Sequence, residues 1–381
     1  MGKLLFFLLV FLLCLGGTLQ KKGRRRDKSR SNRTAVAVAE PRTFKGEPDV
    51  ATDLFPPLNG TQPPALPRAP QTLRLLSNNT VGFLLGPLST RVIPFIYILV
   101  VAVGIPANVA ILSTLASKTR KVSSAILYCS LAVSDLLLLL SLLFKAHYHF
   151  HGNHWVLGEA ACRVVTACFY GNLYCSAQTL ACISTKRYLA VVHPFLYKRL
   201  PKRMYTTWVT LGLWGVFGAA VVPELMVRQS YWLPEVGRVT CHDVLPLDLD
   251  SHVFLLYYDL LLAVFGLLLP LMLTAACYIQ IVRELSRSHH DWTLYIKASS
   301  LVFLIFLACF TPAGVLHLLH HVQLFVDGAQ TLYVHFKVAT CLCCLHACLD
   351  PFLFLLMSKS SGSRLYLQPL KGKPISISVS V

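Results

Sequence analysis

A chain of 381 residues with 35 Lys and Arg against 17 Asp and Glu carries a formal net charge of +18, yet only 14% of it is charged and 55% is hydrophobic. Soluble domains are about a quarter charged, so this composition excludes a cytosolic enzyme. The basic excess alone would suit nucleic acid, but the apolar content outweighs that reading, and basic loops on one face of a bilayer account for the charge.

Lys3, the apolar run Leu4 to Leu15 and the small residues Gly16 and Gly17 make residues 1–17 a cleaved signal peptide, since the run is too short to span a bilayer. Residues 18–90 follow as a disordered extracellular segment, rich in Pro, charge, Asn and Thr and without periodicity. Sequons at Asn32, Asn59 and Asn78 mark it for glycosylation in the secretory lumen. A basic run from Lys21 to Arg33 reads as a solvated tail, a polyanion-binding patch or a processing site.

Seven apolar segments long enough to span come next, at about 91–116, 122–145, 162–190, 205–227, 253–283, 293–320 and 331–357. Only helices satisfy their own backbone in lipid. The expected fold is therefore all-α, a seven-transmembrane helix bundle over residues 91–357 with a short cytoplasmic tail, 358–381. Loops that fall inside carry Lys118, Lys121, Lys198, Arg203 and Arg283, and those outside carry Glu159, Glu235 and Asp243, as the positive-inside rule requires. The thirteen cysteines are not a disulfide scaffold: most, such as Cys175, Cys277 and Cys343, lie in apolar runs as small hydrophobes. Cys162 opens the third segment and Cys241 lies in an outer loop, both facing an oxidising compartment, so a disulfide between them is expected.

Asp135 near the middle of the second segment and Asp350 near the end of the seventh are costly in a membrane and become site candidates. With hydroxyls such as Ser176 they could share a sodium ion or a proton. Pro106, Pro223, Pro270, Pro312 and Pro351 bend their helices.

The ordered set Gly104-Ile-Pro-Ala-Asn108, Leu131-Ala-Val-Ser-Asp135, Cys162, Lys186-Arg187-Tyr188, Trp214, Pro270, Cys309-Phe-Thr-Pro312 and Asp350-Pro-Phe-Leu-Phe354 resembles the rhodopsin-like G-protein-coupled receptors over all seven segments. Within that class, His151-Gly-Asn-His-Trp155, Phe169-Tyr-Gly-Asn-Leu-Tyr-Cys175 and Cys241-His-Asp-Val-Leu-Pro246 are similar to the protease-activated, or thrombin, receptors.

That resemblance implies a multi-pass plasma-membrane protein, its N-terminus outside. It makes Pro41-Arg42 followed by Thr43 a scissile site for thrombin or a similar serine protease whose acidic pocket takes Arg42. Thr43, Phe44, Lys45, Gly46, Glu47 and Pro48 become the tethered ligand exposed by the cut, and Asp53, Leu54, Phe55 and Pro56 dock on the protease exosite. It places ligand contacts at Tyr170, His242, Asp243, Leu245, His320, His321, Tyr333 and Phe336, with Asp243 as partner for a tether cation. It gives Arg187 to a heterotrimeric G protein and adds His346 to the sodium or proton site, so no cofactor beyond a sodium ion is expected.

Three positions depart from the pattern: Lys186 replaces the usual acid before the arginine, Phe354 the usual tyrosine, and His346 a usual asparagine. They favour a rival, a non-signalling cofactor that binds thrombin for a neighbouring receptor of the family. A receptor for a soluble peptide or nucleotide is a further alternative. An intramembrane enzyme is the least supported class, since no Ser/His dyad or metal-ligand pair stands at helical spacing within the spans.

Overall fold

The computed structural model describes residues 44–48, 72–75, 78–116, 123–246, 257–258, 260–287, 293–327, 332–360, 365–367 and 375–377. Among them, six helices are long and apolar enough to cross a membrane: Thr80–Leu115, Ser123–Phe150, Lys202–Met226, Leu260–Ser286, Tyr295–His320 and Tyr333–Leu356. These are spans one, two, four, five, six and seven. Span three is the helix Gly158–Val192, whose 35 residues extend about 52 Å at about 1.5 Å per residue.

Span three is less apolar because it is central. Thr166, Asn172, Ser176, Thr179 and Arg187 are all buried against neighbouring helices, where hydrogen bonds replace lipid contact. Span four is the opposite case, with Trp208 68% and Leu211 56% exposed on a face suited to acyl chains. The largest core cluster joins Leu138, Leu139 and Leu142 of span two to Leu180 of span three and Phe306 and Phe310 of span six.

Two of the prolines singled out above leave local marks. Wide turns with i to i+5 bonding occupy Val264–Leu268 before Pro270 and Phe306–Phe310 before Pro312. At the second, both the backbone N–H and the hydroxyl of Thr311 donate to the Phe306 carbonyl, the latter at 2.9 Å, which satisfies a group the bent ladder would orphan.

Two small sheets lie on the outer side. Strands β1 (Phe44–Pro48), β2 (Leu73–Leu75) and β5 (Val244–Pro246) form one in the order β2-β1-β5; β3 (Ser230–Leu233) and β4 (Arg238–Cys241) form an antiparallel hairpin. The hairpin turns at Gly237, whose φ of +65° suits a residue without Cβ. β1 runs parallel to β5, pairing Phe44 with Val244, Lys45 with Leu245 and Gly46 with Pro246. It runs antiparallel to β2, with Glu47 opposite Arg74.

This corrects the disordered reading of residues 18–90 in part. Phe44–Pro48 and Leu73–Leu75 are strands, and Asn78–Leu85 is a helix leading into span one. Strand pairing here depends on a partner some 200 positions away in sequence, which local periodicity does not register. In the tail, β6 (Leu365–Leu367) pairs antiparallel with β7 (Ile375–Ile377).

Candidate functional site

The outer chamber is built on a tethered loop. The Cys162–Cys241 disulfide fastens β4 to the head of span three, with Cα atoms 5.7 Å apart. Glu159 reinforces the junction, its carboxylate accepting from Arg163 Nε at 2.6 Å and from the backbone N–H groups of Gln229 and Ser230 at 2.8 Å. Trp155 closes the other side, its backbone N–H donating to the Val239 carbonyl at 2.8 Å and its indole to the Gly158 carbonyl at 2.7 Å.

Immediately after Cys241, His242 adopts φ +61° and donates its N–H to the Gln229 carbonyl at 2.9 Å. That left-handed residue ends β4, so the chain turns inward and Asp243 is 2% exposed. Its carboxylate accepts from Tyr148 Oη of span two at 2.6 Å, and from Lys337 Nζ at 2.8 Å and Tyr333 Oη at 3.4 Å, both of span seven. Burial alone raises such a carboxyl, but the Lys337 ammonium and the hydrogen bonds outweigh it and hold Asp243 well below the usual carboxylate range. One side chain thus joins the loop to two spans.

The cavity beside Asp243 is lined by Tyr97, Lys145, Tyr148, His149, Phe169, Tyr170 and Lys337. Lys145 is 8% exposed and places its ammonium 4.5 Å over the Phe169 ring. Asn153, at φ +63°, caps the outer end of span two by accepting from His149 Nδ1 at 2.6 Å and donating to Ser89 Oγ at 2.9 Å.

The expected ligand contacts gather here. Tyr170 lies 5.2 Å from the His242 ring, His320 6.0 Å from Tyr333, and Phe336 stacks on His317 at 5.2 Å. Leu245 is buried in the core cluster. The side chain of His321 lies outside the described residues, as do Arg42, Thr43, Asp53 to Pro56, Asn32 and Asn59; Asn78 begins the helix before span one. Lys145, Tyr148 and Lys337 were not singled out from sequence. An ionisable residue within an apolar span is a site candidate by default, but the signal was weaker for the two lysines than for the aspartates, because a long side chain near the end of a span can reach the interface.

Deeper in the bundle, Asp135, His346 and Asp350 bring their ligating atoms within 4.8 Å of one another, all buried. This corrects the expectation that the spans hold no metal-ligand pair at helical spacing, since His346 and Asp350 stand four residues apart in span seven. Ser176 Oγ donates to Asp135 Oδ1 at 3.3 Å, and Asn172 Nδ2 holds Ser134 and Ser176 at 2.7 and 3.2 Å. Span seven is interrupted between Cys343 and His346, and that break aims the imidazole inward. The His346 ring lies 4.8 Å from Phe310, in the wide turn of span six.

At the inner end Arg187 is 4% exposed. It donates to Ser299 Oγ at 3.0 Å and lies 5.5 Å over Tyr295. Lys186 turns away, donating to Ser123 Oγ at 2.9 Å and Thr206 Oγ1 at 3.4 Å. A hydroxyl and an aromatic face therefore restrain the arginine where the acid is missing. Phe354 is buried edge-on to Tyr128 at 5.8 Å.

An outer chamber roofed by a disulfide-bound loop, a buried polar centre and a restrained arginine at the inner end define an integral-membrane receptor of seven helices. Residues 107–354 match the rhodopsin family of seven-transmembrane receptors. The chain is 40% identical to human proteinase-activated receptor 3, over 94% of its own length and 97% of that protein. It is 42% identical to the bovine receptor 3 over 87% and 90%, and 37% identical to mouse proteinase-activated receptor 4 over 74% and 71%. The chain belongs to the proteinase-activated receptors of the rhodopsin family. It is a multi-pass plasma-membrane receptor and not an enzyme.

Proposed function

We propose that thrombin or a similar serine protease cuts this receptor after Arg42, and that the new chain start at Thr43 acts as its tethered ligand. The supporting observation is the strand pairing: Phe44–Pro48 lies in parallel register on β5, the loop strand that follows Asp243. Phe44 pairs with Val244, the residue after Asp243, so the strand leads the start of the proposed ligand toward that acid. Backbone pairing supplies affinity, as when an extended peptide adds to a sheet edge. The linker keeps the ligand at an effective concentration of order mM, so modest intrinsic affinity suffices.

Asp243 is already engaged by Lys337 and Tyr148, so the new ammonium enters by exchange. Loosening Lys337 frees the outer end of span seven. Span seven also carries His346, which lies against Phe310 in the bend of span six. Movement at that bend releases Arg187 from Ser299 for a heterotrimeric G protein.

A second reading, a thrombin-binding cofactor that serves a neighbouring receptor of the family, is favoured by Lys186 and Phe354, which remove an ion-pairing and a water-bridging group from the coupling end. Both readings require the cut. After thrombin treatment of intact cells, N-terminal sequencing of the membrane-retained receptor is expected to begin at Thr43; a chain start elsewhere overturns both.

A further inference from the structure

We propose that Asp135, His346 and Asp350 form a binding site for a divalent transition metal of the zinc class, rather than a sodium site. The argument starts from the imidazole. His346 Nδ1 lies 2.7 Å from the Cys343 carbonyl, and a carbonyl can only accept, so Nδ1 carries the hydrogen. In the neutral ring Nε2 then presents its lone pair inward, 3.6 Å from Asp135 Oδ1. A lone pair facing a carboxylate is repulsive unless a proton or a cation lies between them, and a ligated metal ion relieves it while leaving Nδ1–H on its carbonyl.

The carboxylates repeat the message. Asp135 Oδ2, both oxygens of Asp350 and His346 Nε2 meet no hydrogen-bond partner among the described residues, and the three residues are 0%, 3% and 0% exposed. Buried polar atoms are ordinarily satisfied, and one shared ion would satisfy all four of these at once.

The donor set selects the ion. Two carboxylates and a neutral imidazole sum to a charge of −2, which a divalent ion neutralises and sodium leaves half uncompensated. Hard monovalent ions favour oxygen, whereas an imidazole nitrogen suits zinc and its neighbours. Tetrahedral zinc with bonds of about 2.0–2.2 Å sets its ligands about 3.4 Å apart; the 3.6 Å pair already meets that spacing, and the 4.8 Å limit requires only a small closure. An imidazole that ligates with one nitrogen and donates the other N–H to a backbone carbonyl is the usual outer-shell arrangement of a metal-bound histidine. The metal would fasten span two to span seven against Phe310.

This inference rests on the bundle alone and does not need the cut at Arg42, so uncleaved receptor is the material for its test. The intact receptor, purified in detergent and stripped with chelator, is titrated with zinc or with cobalt as its spectroscopic stand-in. Micromolar zinc is expected to raise the unfolding midpoint saturably, and cobalt to give the visible bands of a tetrahedral nitrogen and oxygen site. His346→Asn is expected to lose both responses. The exposed pair His147 and His151, with rings 4.1 Å apart, is a competing surface chelate, so His147→Ala/His151→Ala is expected to keep both. Absence of the cobalt bands in the wild type overturns the proposal even if His346→Asn does not fold. So does an undiminished zinc shift in His346→Asn, or loss of the response in the surface double variant.

Discussion

At the scale of single residues, the Asp243–Lys337 pair is the most consequential contact on the outer side. Its side chains are 3% and 14% exposed, so removing one partner strands a buried charge, which costs about 3–5 kcal/mol. We expect Asp243→Ala to destabilise the purified receptor by about that amount. Asp243→Ala/Lys337→Met should cost less than the two single changes together by about 1–3 kcal/mol, and thermal unfolding measures both. The folded carboxyl titrates below its ordinary value of 3.8, so its contribution is complete above the unfolded value and is lost only as pH falls through the folded one. Acidification from about pH 7 to about pH 5 should therefore leave Asp243 itself ionised, and any change over that window in the difference between wild type and Asp243→Ala would come from its neighbours Lys145 and His149. Lys186 offers a test at the other end. Lys186→Asp places an acid beside Arg187, adds the missing ion pair and should lower the maximal G-protein response at equal surface expression; an unchanged response would refute that role. Asp135 and Asp350 were legible in the sequence because a short carboxylate inside an apolar span is conspicuous. Lys145 and Lys337 stand near the outer ends of their spans, where a long side chain can reach out to the interface, so their inward burial is a product of packing.

At the scale of elements, span three organises the bundle by close approach. A Cβ on Gly266 of span five would lie 2.5 Å from Cδ1 and 3.1 Å from Cγ of Tyr174 on span three, near the root of a ring that cannot swing away cheaply. Gly266→Ala should cost about 1–3 kcal/mol through overpacking, measured by thermal unfolding; a neutral result would mean that spans three and five are separable there. All seven spans were legible as apolar runs, span three included, although it carries the most polar inward face. The outer sheet was not. β5 is only three residues long, and β1 lies in a stretch whose composition is that of a solvated tail. Their pairing depends on the loop geometry that Cys241 and the left-handed His242 impose, which no local pattern encodes. The disulfide itself was readable from the two outward-facing cysteines.

At the scale of the whole molecule, the sites form a column through the bundle. Asp243 joins the loop to spans two and seven, His346 joins span seven to Phe310 of span six, and Arg187 of span three is held by Ser299 on span six. A perturbation at the top therefore meets, in turn, a displaceable ion pair, a buried polar centre beside a helix bend, and an arginine held by one hydroxyl and one aromatic face. The receptor class was legible because its motifs recur in order along the chain. The column was not, because it consists of contacts between elements far apart in sequence, such as Lys337 of span seven with Asp243 of the outer loop, 94 positions away.

The most direct test of the account is intracellular calcium in cells expressing this receptor alone under thrombin, with an N-terminal epitope reporting cleavage, for wild type and Arg42→Ala. The account predicts that wild type loses the epitope and responds, and that Arg42→Ala does neither. Epitope loss without a calcium response would contradict signalling by this chain and leave the cofactor reading, and an epitope that survives thrombin on the wild type would contradict cleavage itself.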